Sequence, residues 1–226
     1  MFAVIFEVQP RPERWNDYLG IAQRLRPELE QIDGFIDNER FASQSRQGWI
    51  LSLSTWRDEK AVIRWRTLAP HHFAQAKGRT EIMEDYHLRV GELIADSEVP
   101  LGQQLARQRL DETEIGVAKA ITISERAPTD ATASPGSDMA ADLALPRRGT
   151  AGVVEYEVFG SITEPGKQLL LVSWRNAAAA AQWPPRSSSG SGLRHRSVRV
   201  IRDYGLRDRR EAPQYYPAVG ANDVRR

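Results

Sequence analysis

The chain carries one pattern twice, and this repetition limits what it can fold into more than any other feature. Residues 34–89 lie over residues 152–207 without a gap, each residue meeting its counterpart 118 positions later. Trp56-Arg57, Trp65, Asp85-Tyr86, Leu88 and Arg89 mark the register in the first copy. Trp174-Arg175, Trp183, Asp203-Tyr204, Leu206 and Arg207 answer in the second. Glu39/Glu157, Phe41/Phe159, Ser43/Ser161, Gly48/Gly166, Leu51/Leu169 and Leu53/Leu171 fall on the same offset. Solenoid repeats run roughly 20–50 residues, so this longer period predicts two whole small domains of similar fold.

A length of 226 residues accommodates such a pair. Each copy, at roughly 100 residues, buries a modest core of its own, so the two are expected to pack on each other. The expected division is a first domain over 1–96, a linker helix within 97–116, a second, degenerate domain over 117–211 and a C-terminal arm over 212–226. A net charge of +1 gives no push towards nucleic acid or a membrane surface. The absence of cysteine excludes disulfides, a thiolate nucleophile and zinc–thiolate sites. Met1 to Phe6 runs directly into a strand-like pattern with no basic stretch, so no signal peptide is expected. No apolar run approaches the roughly 20 residues of a membrane span, and a cytoplasmic protein without membrane or nucleic-acid partners is expected.

Phe2 to Val8 reads as a strand, ended by Gln9-Pro10-Arg11-Pro12. Trp15, Tyr18, Leu19, Ala22, Leu25 and Leu29 recur at helical spacing, with Pro27 expected to kink or shorten the helix. Phe35 to Ala42 and Trp49 to Trp56 read as strands. Asp58 caps a helix from Glu59 to about Leu68, ended by Pro70, and a last strand runs from Ile82 to Val90. The order β-α-β-β-α-β is ferredoxin-like. The second copy repeats it with strands over 117–124, 153–159, 167–174 and 198–206, and a helix over 176–183. Its first helix is reduced to Ser137–Leu145, behind a loop over 127–136. Leu101 to Ile115 reads as the linking helix, and Pro213-Gln214-Tyr215-Tyr216-Pro217 as an arm laid on the surface. A four-stranded sheet with both helices on one side leaves its other face bare; here the second copy can cover it.

Gly34-Phe35 turns into the second strand, Trp56-Arg57-Asp58-Glu59 ends the third, Ala61 to Trp65 forms a helix, and Pro70-His71-His72-Phe73 follows. On these residues the first copy resembles the antibiotic biosynthesis monooxygenase family of dimeric α/β-barrel proteins; residues 117–207 do so more weakly. The resemblance implies an α+β fold: two ferredoxin-like βαββαβ domains in tandem, forming an intramolecular dimeric α/β barrel. This pseudo-dimer leaves further homo-oligomerisation open. Some members of the family oxidise anthrones or quinols with molecular oxygen and no cofactor, and others degrade haem. The haem-degrading branch combines a first-strand asparagine, a tryptophan on the second helix and a histidine beyond it. Trp65 matches the tryptophan, but Phe2 to Val8 holds no asparagine and the histidine position falls near Lys77. The second copy has Trp183 and His195, again without the asparagine. Haem degradation by that triad is disfavoured.

The function the resemblance implies is a cofactor-independent monooxygenase acting on a small aromatic, quinol-like or polyketide-like molecule, with a non-catalytic ligand-binding or stress-associated barrel, or a haem-binding one, as alternatives. Cofactor-free oxygenation needs a base, donors for a developing oxyanion and a dry pocket. His72, then His71, are the candidate bases, with Asn38 and Tyr86 as donors. Trp65, Phe73 and Trp49 are candidate walls, and His87 a further substrate contact through a strand face it shares with Asp85. Against these stand plainer readings: surface-loop histidines, a solvated Asp85–His87 face, and Trp65/Trp183 as helix packing. In the second copy Ser189 and Gly190 replace His71 and His72, which fits one working pocket and one degenerate pocket. A metal at His71, His72 and His87 lacks the helical ligand spacing such sites use, and none is expected. The arginines between Arg186 and Arg210 could bind phosphate or an acidic partner, or form one solvated strand face. No phosphate loop or dinucleotide fingerprint is present.

Overall fold

The computed structural model describes residues 1–128, 138–184 and 192–214. The first half runs β1 (Phe2–Pro10), α1 (Trp15–Glu30), β2 (Phe35–Ser43), β3 (Ile50–Trp56), α2 (Glu59–Thr67), α3 (Ala69–Lys77) and β4 (Met83–Asp96), with a π-helical turn, Gly78–Ile82, before β4. The second runs β5 (Ala120–Arg126), α4 (Met139–Asp142), β6 (Val153–Ser161), β7 (Gln168–Trp174), α5 (Ala177–Ala181) and β8 (Leu193–Gly205). The eight strands form one closed antiparallel barrel in the order β1-β3-β2-β6-β7-β5-β8-β4. Each half contributes four adjacent strands. The halves join edge to edge, β2 to β6 through Phe41↔Ser161 and Ser43↔Phe159, and β4 to β8 along most of their length.

The strand sequences explain this arrangement. In β1, Ala3 and Ile5 point one way and Phe2, Val4 and Phe6 the other, so both faces are apolar and both are covered. The inner face meets Leu51, Leu53, Ile121, Ile123, Leu169, Leu171, Val198 and Val200 in a core shared by the two halves. The outer face packs under helices. Gly34 and Gly152 open β2 and β6 with φ of 92° and 83°. A Cβ at either would stand 2.8 or 2.4 Å from the Cβ of Ala61 or Ala179, so glycine is demanded twice over.

Several expectations are corrected. Residues 101–115 contain no helix; the connection crosses the surface as turns and irregular chain, tied down by Arg109 to Glu59 and by Thr113 to Glu211. Pro27 lies within α1, which continues to Glu30. Pro70 does not end the helical region but sits in the first turn of α3, where a missing N–H costs nothing, so the two histidines are helical. α4 is shorter than expected and is capped by Asp138. The sequence position proposed as its cap, Ser137, and most of the loop before it lie outside the described residues, as do Ser189, Gly190 and the arm beyond Gln214.

The repeat itself needs one amendment. From β1 to α2 the 118-residue offset is structural: Trp56 pairs with Phe35 as Trp174 pairs with Val153, and Asp58 and Asn176 are equivalent helix caps. In the last strand the offset becomes 107. Ile5 faces Arg89 and Glu7 faces His87; the equivalent Ile123 and Glu125 face Arg196 and Arg194. The partner of Arg89 is therefore Arg196, and the Asp85-Tyr86/Asp203-Tyr204 match is not a structural equivalence. The first half spends more chain between its second helix and last strand, on α3 and the π-helical turn.

Candidate active site

A cavity of about 700 Å³ lies between the outer face of the first half's sheet and helices α1, α2 and α3. Val4 and Phe6 of β1, Leu88 and Val90 of β4, Ile21, Leu25 and Leu29 of α1 and Val62 of α2 give it apolar walls. Its polar groups come from β2 (Asn38, Arg40), β3 (Ser52, Ser54), α1 (Tyr18), α3 (His71, His72, Gln75) and β4 (Tyr86). The second half reaches in as well: Arg202 and Tyr204 of β8, then Arg209, Ala212, Pro213 and Gln214 behind it, line the same space. Arg66 on α2 donates to the Gln214 carbonyl at 3.1 Å and holds this stretch to the first half.

Five of the residues expected from the sequence stand on this cavity: Asn38, Trp65, His71, His72 and Tyr86. Three do not. Phe73 points to solvent with 71% of its surface exposed, because it lies on the opposite face of α3 from His71. Trp49 precedes β3 at the barrel's end, under the Arg46 guanidinium at 4.6 Å. His87 faces the other side of β4 from Tyr86, towards Asp203, with Nε2 2.6 Å from its carboxylate. The space between the two half-sheets holds the shared apolar core and a smaller cavity of about 260 Å³ bordered by Glu7, Arg46, Arg89, Glu155 and Ser173, which His87 does not line.

His71 is fixed in one tautomer. Its ring stacks on Trp65 with centroids 4.1 Å apart, and Nδ1 lies 2.9 Å from the Trp65 carbonyl. A carbonyl only accepts, so Nδ1 carries the proton and Nε2 the lone pair. The Gln75 amide nitrogen stands farther off, 3.3 Å from Nδ1 and 3.5 Å from Nε2, over the edge of the ring. Burial pushes the imidazole down to about 4, the Trp65 carbonyl opposing and His72 adding to the effect. His71 is thus neutral at pH 7. Asn38 has a different role from the donor expected of it. Its amide N–H groups go to Ser52 Oγ at 3.1 Å and the Leu53 carbonyl at 3.0 Å, which leaves an acceptor oxygen. Donors come instead from the tyrosines. Tyr86 accepts a short hydrogen bond from Arg209, which frees its own proton for another acceptor. Tyr204 is pushed up to about 12, by burial first and Tyr86 second, and stays protonated.

Arg40, Tyr18, Ser52, Tyr204 and Arg209 were not anticipated. Strict alternation along β2 puts Arg40 on the face of Asn38, a signal present in the sequence. Tyr204, the sequence match of Tyr86, and Arg209, in the arginine-rich stretch, were not placed on this cavity because the 118-residue register assigns them to the second half. In that half, among the described residues, core side chains occupy the corresponding place. Trp183 tilts onto Trp174 at 5.6 Å and donates to the Leu143 carbonyl at 3.2 Å, among Met139, Leu143, Leu170 and Val172. Among the described residues, no group of three or more histidines and acids could hold a metal ion, and no helix is long and apolar enough to cross a membrane.

A family model described as antibiotic biosynthesis monooxygenase matches residues 1–77. A jasmonate monooxygenase of Pyricularia oryzae is 46% identical over 222 residues, covering 96% of this chain and 99% of that protein. Among solved structures, an aldoxime dehydratase in complex with butyraldoxime is 12% identical with a TM-score of 0.57, over 88% of this chain and 79% of that one. A second aldoxime dehydratase structure gives 12% and 0.55, over 88% and 81%. These two likenesses concern the fold alone.

Proposed function

Because this chain belongs to the antibiotic biosynthesis monooxygenase family, we propose that it is a monooxygenase whose working site is the cavity of its first half, residues 1–96. Residues 117–211 close the barrel and complete the cavity wall. The substrate we propose is small and mostly apolar, of the jasmonate class or a related ketone, quinol or polyketide. The 46% identity to a jasmonate monooxygenase, spread over both halves, favours this reading over a ligand-binding or haem protein.

The observation that carries the proposal is an apolar cavity of about 700 Å³ bordered by an imidazole held neutral with Nε2 as its basic nitrogen. We assign the base to His71 in preference to His72, because its orientation is fixed by both the stacking and the carbonyl. A base whose conjugate acid titrates this low is free to accept at neutral pH but weak, so the proton it takes must be acidified by an adjacent carbonyl or phenolic ring and by donors to the oxyanion that forms. His71 takes that proton, Tyr86 and Tyr204 donate to the oxyanion that forms, and the apolar walls keep water away. The carbanion passes an electron to molecular oxygen, and recombination forms a carbon–oxygen bond as a hydroperoxide. Loss of water from a quinol- or anthrone-type hydroperoxide leaves a ketone, the substrate having supplied all four electrons. Where the product is an alcohol, two further electrons must come from an added reductant.

The test is incorporation of oxygen-18 from labelled dioxygen, read by mass spectrometry. Jasmonate, dihydroxynaphthalenes and anthrones are offered with and without a reductant. One labelled oxygen per product is expected, and His71→Ala is expected to lower kcat by about 100-fold or more. No incorporation from any substrate would sink the assignment as an oxygenase. Full activity in both His71→Ala and His72→Ala would remove the base.

A further inference from the structure

Resting on the oxygenase reading, we propose that Arg40 anchors a substrate carboxylate and makes the site selective for acids over neutral molecules of the same shape. Four arginines have an Nε shielded from solvent with no hydrogen-bond partner among the described residues: Arg40, Arg89, Arg196 and Arg199. Three of them meet a carboxylate through their terminal nitrogens, Arg89 with Glu7, Arg196 with Glu125 and Arg199 with Glu92. Arg40 has no ion pair among the described residues, and it lines the cavity.

A guanidinium stays ionised in any protein setting, and keeping one half-buried without a counter-charge is costly. Among the described residues its surroundings supply none. Side chains alternate along β2, so Glu39 points to the opposite face, where it accepts from Ser161 at 2.6 Å and pairs with Lys167 at 2.5 Å. The acid on the cavity wall, Glu59, is held by Arg109 at 2.7 Å. Tyr18, hydrogen-bonded to the Arg40 side chain, is neutral, its hydroxyl pushed up by burial with the Arg40 charge and hydrogen bond opposing, so it gives Arg40 a partner but no counter-charge. The other arginines of the wall, Arg66, Arg79, Arg202 and Arg209, make the interior still more positive. A bound anion would balance this charge. A carboxylate fits the guanidinium fork with two parallel hydrogen bonds, and its apolar body then lies on the aliphatic walls.

The experiment titrates jasmonate and its methyl ester into the wild type, Arg40→Gln and Arg40→Lys, following tryptophan fluorescence, with Trp65 in the cavity wall as reporter. The wild type is expected to bind the acid about tenfold or more tightly than the ester. Arg40→Gln should weaken the acid by about tenfold or more and move the ester by less than about twofold. Arg40→Lys, which keeps the charge and loses the fork, should recover part of the difference. The anchor is overturned if the wild type shows no preference for the acid, if acid and ester weaken alike, or if acid binding does not change. Oxygen-18 incorporation, with jasmonate, dihydroxynaphthalenes and anthrones and with and without a reductant, is a separate readout. A wild type that prefers the acid but incorporates no oxygen into any of them defeats the oxygenase reading and leaves the anchor in place.

Discussion

Arg89 and Arg196 occupy equivalent places inside the barrel, and each joins the two halves. Arg89 pairs with Glu7 of its own half and donates to Ser173 of the other at 2.9 Å. Arg196 pairs with Glu125 and donates to Thr55 at 3.2 Å. Burial alone would push the Glu7 carboxyl up; the Arg89 and Arg46 guanidiniums outweigh it and hold it below the usual range. Arg46 also meets Glu7, so Arg89→Met leaves the carboxylate one of its two guanidinium partners. Arg89→Met should therefore destabilise the protein by about 1–3 kcal/mol in denaturant titration. Arg46→Met added to it strands Glu7 in the core and should raise the loss further; a double variant no less stable than the single one would contradict the pairing. At this scale the sequence was most misleading about Arg89. Its residue neighbourhood matches that of Arg207, yet only strand pairing reveals Arg196 as its equivalent. The glycines were the opposite case, since Gly34 and Gly152 could be read directly.

Helix α2 and its counterpart α5 start alike and end differently, and the difference decides which half has a cavity. Both are capped by a side chain, Asp58 accepting from the Ala61 N–H at 2.8 Å and Asn176 from the Ala179 N–H at 2.9 Å. α2 runs on into α3, which draws Trp65 into a stack with His71. α5 stops at Ala181, and Trp183 falls onto Trp174. The same aromatic is thus cavity wall in one half and core in the other, a split that neither tryptophan's sequence context could disclose. Trp183→Ala should cost about 3–5 kcal/mol of stability with little loss of substrate affinity in the remaining folded protein. Trp65→Ala should cost less stability while weakening substrate binding and lowering turnover. Equal thermal shifts for the two variants would contradict the split. The strands were legible because their alternation is short-range. α3 was not, because Pro70 is as compatible with a first helical turn as with a helix end, and only its packing above α1 and the sheet chooses between them.

For the whole molecule, two histidines set the response to acid. Burial holds both His71 and His195 down at about 4, so the unfolded chain takes up protons from about pH 6.5 downwards that the native protein refuses. Stability should accordingly be full above that value and fall as pH drops towards 4, by up to about 3 kcal/mol for each histidine. The melting temperature measured between pH 7 and 4.5 checks this, and His195→Asn should flatten the slope; a wild-type melting point independent of pH over this range would contradict it. Barrel closure was legible from the repeat, because a half-covered sheet needs a partner. The composite cavity was not, since nothing in the local sequence says that Tyr204 and Arg209 cross to the other half. Their crossing follows from the strand pairing of β4 with β8. In a barrel assembled from two identical chains, any substitution is made twice, and a change that fills one cavity fills both. Here the same ring is drawn by one chain, so a substitution is made once. One half is free to give up its own chamber and become masonry for the other's.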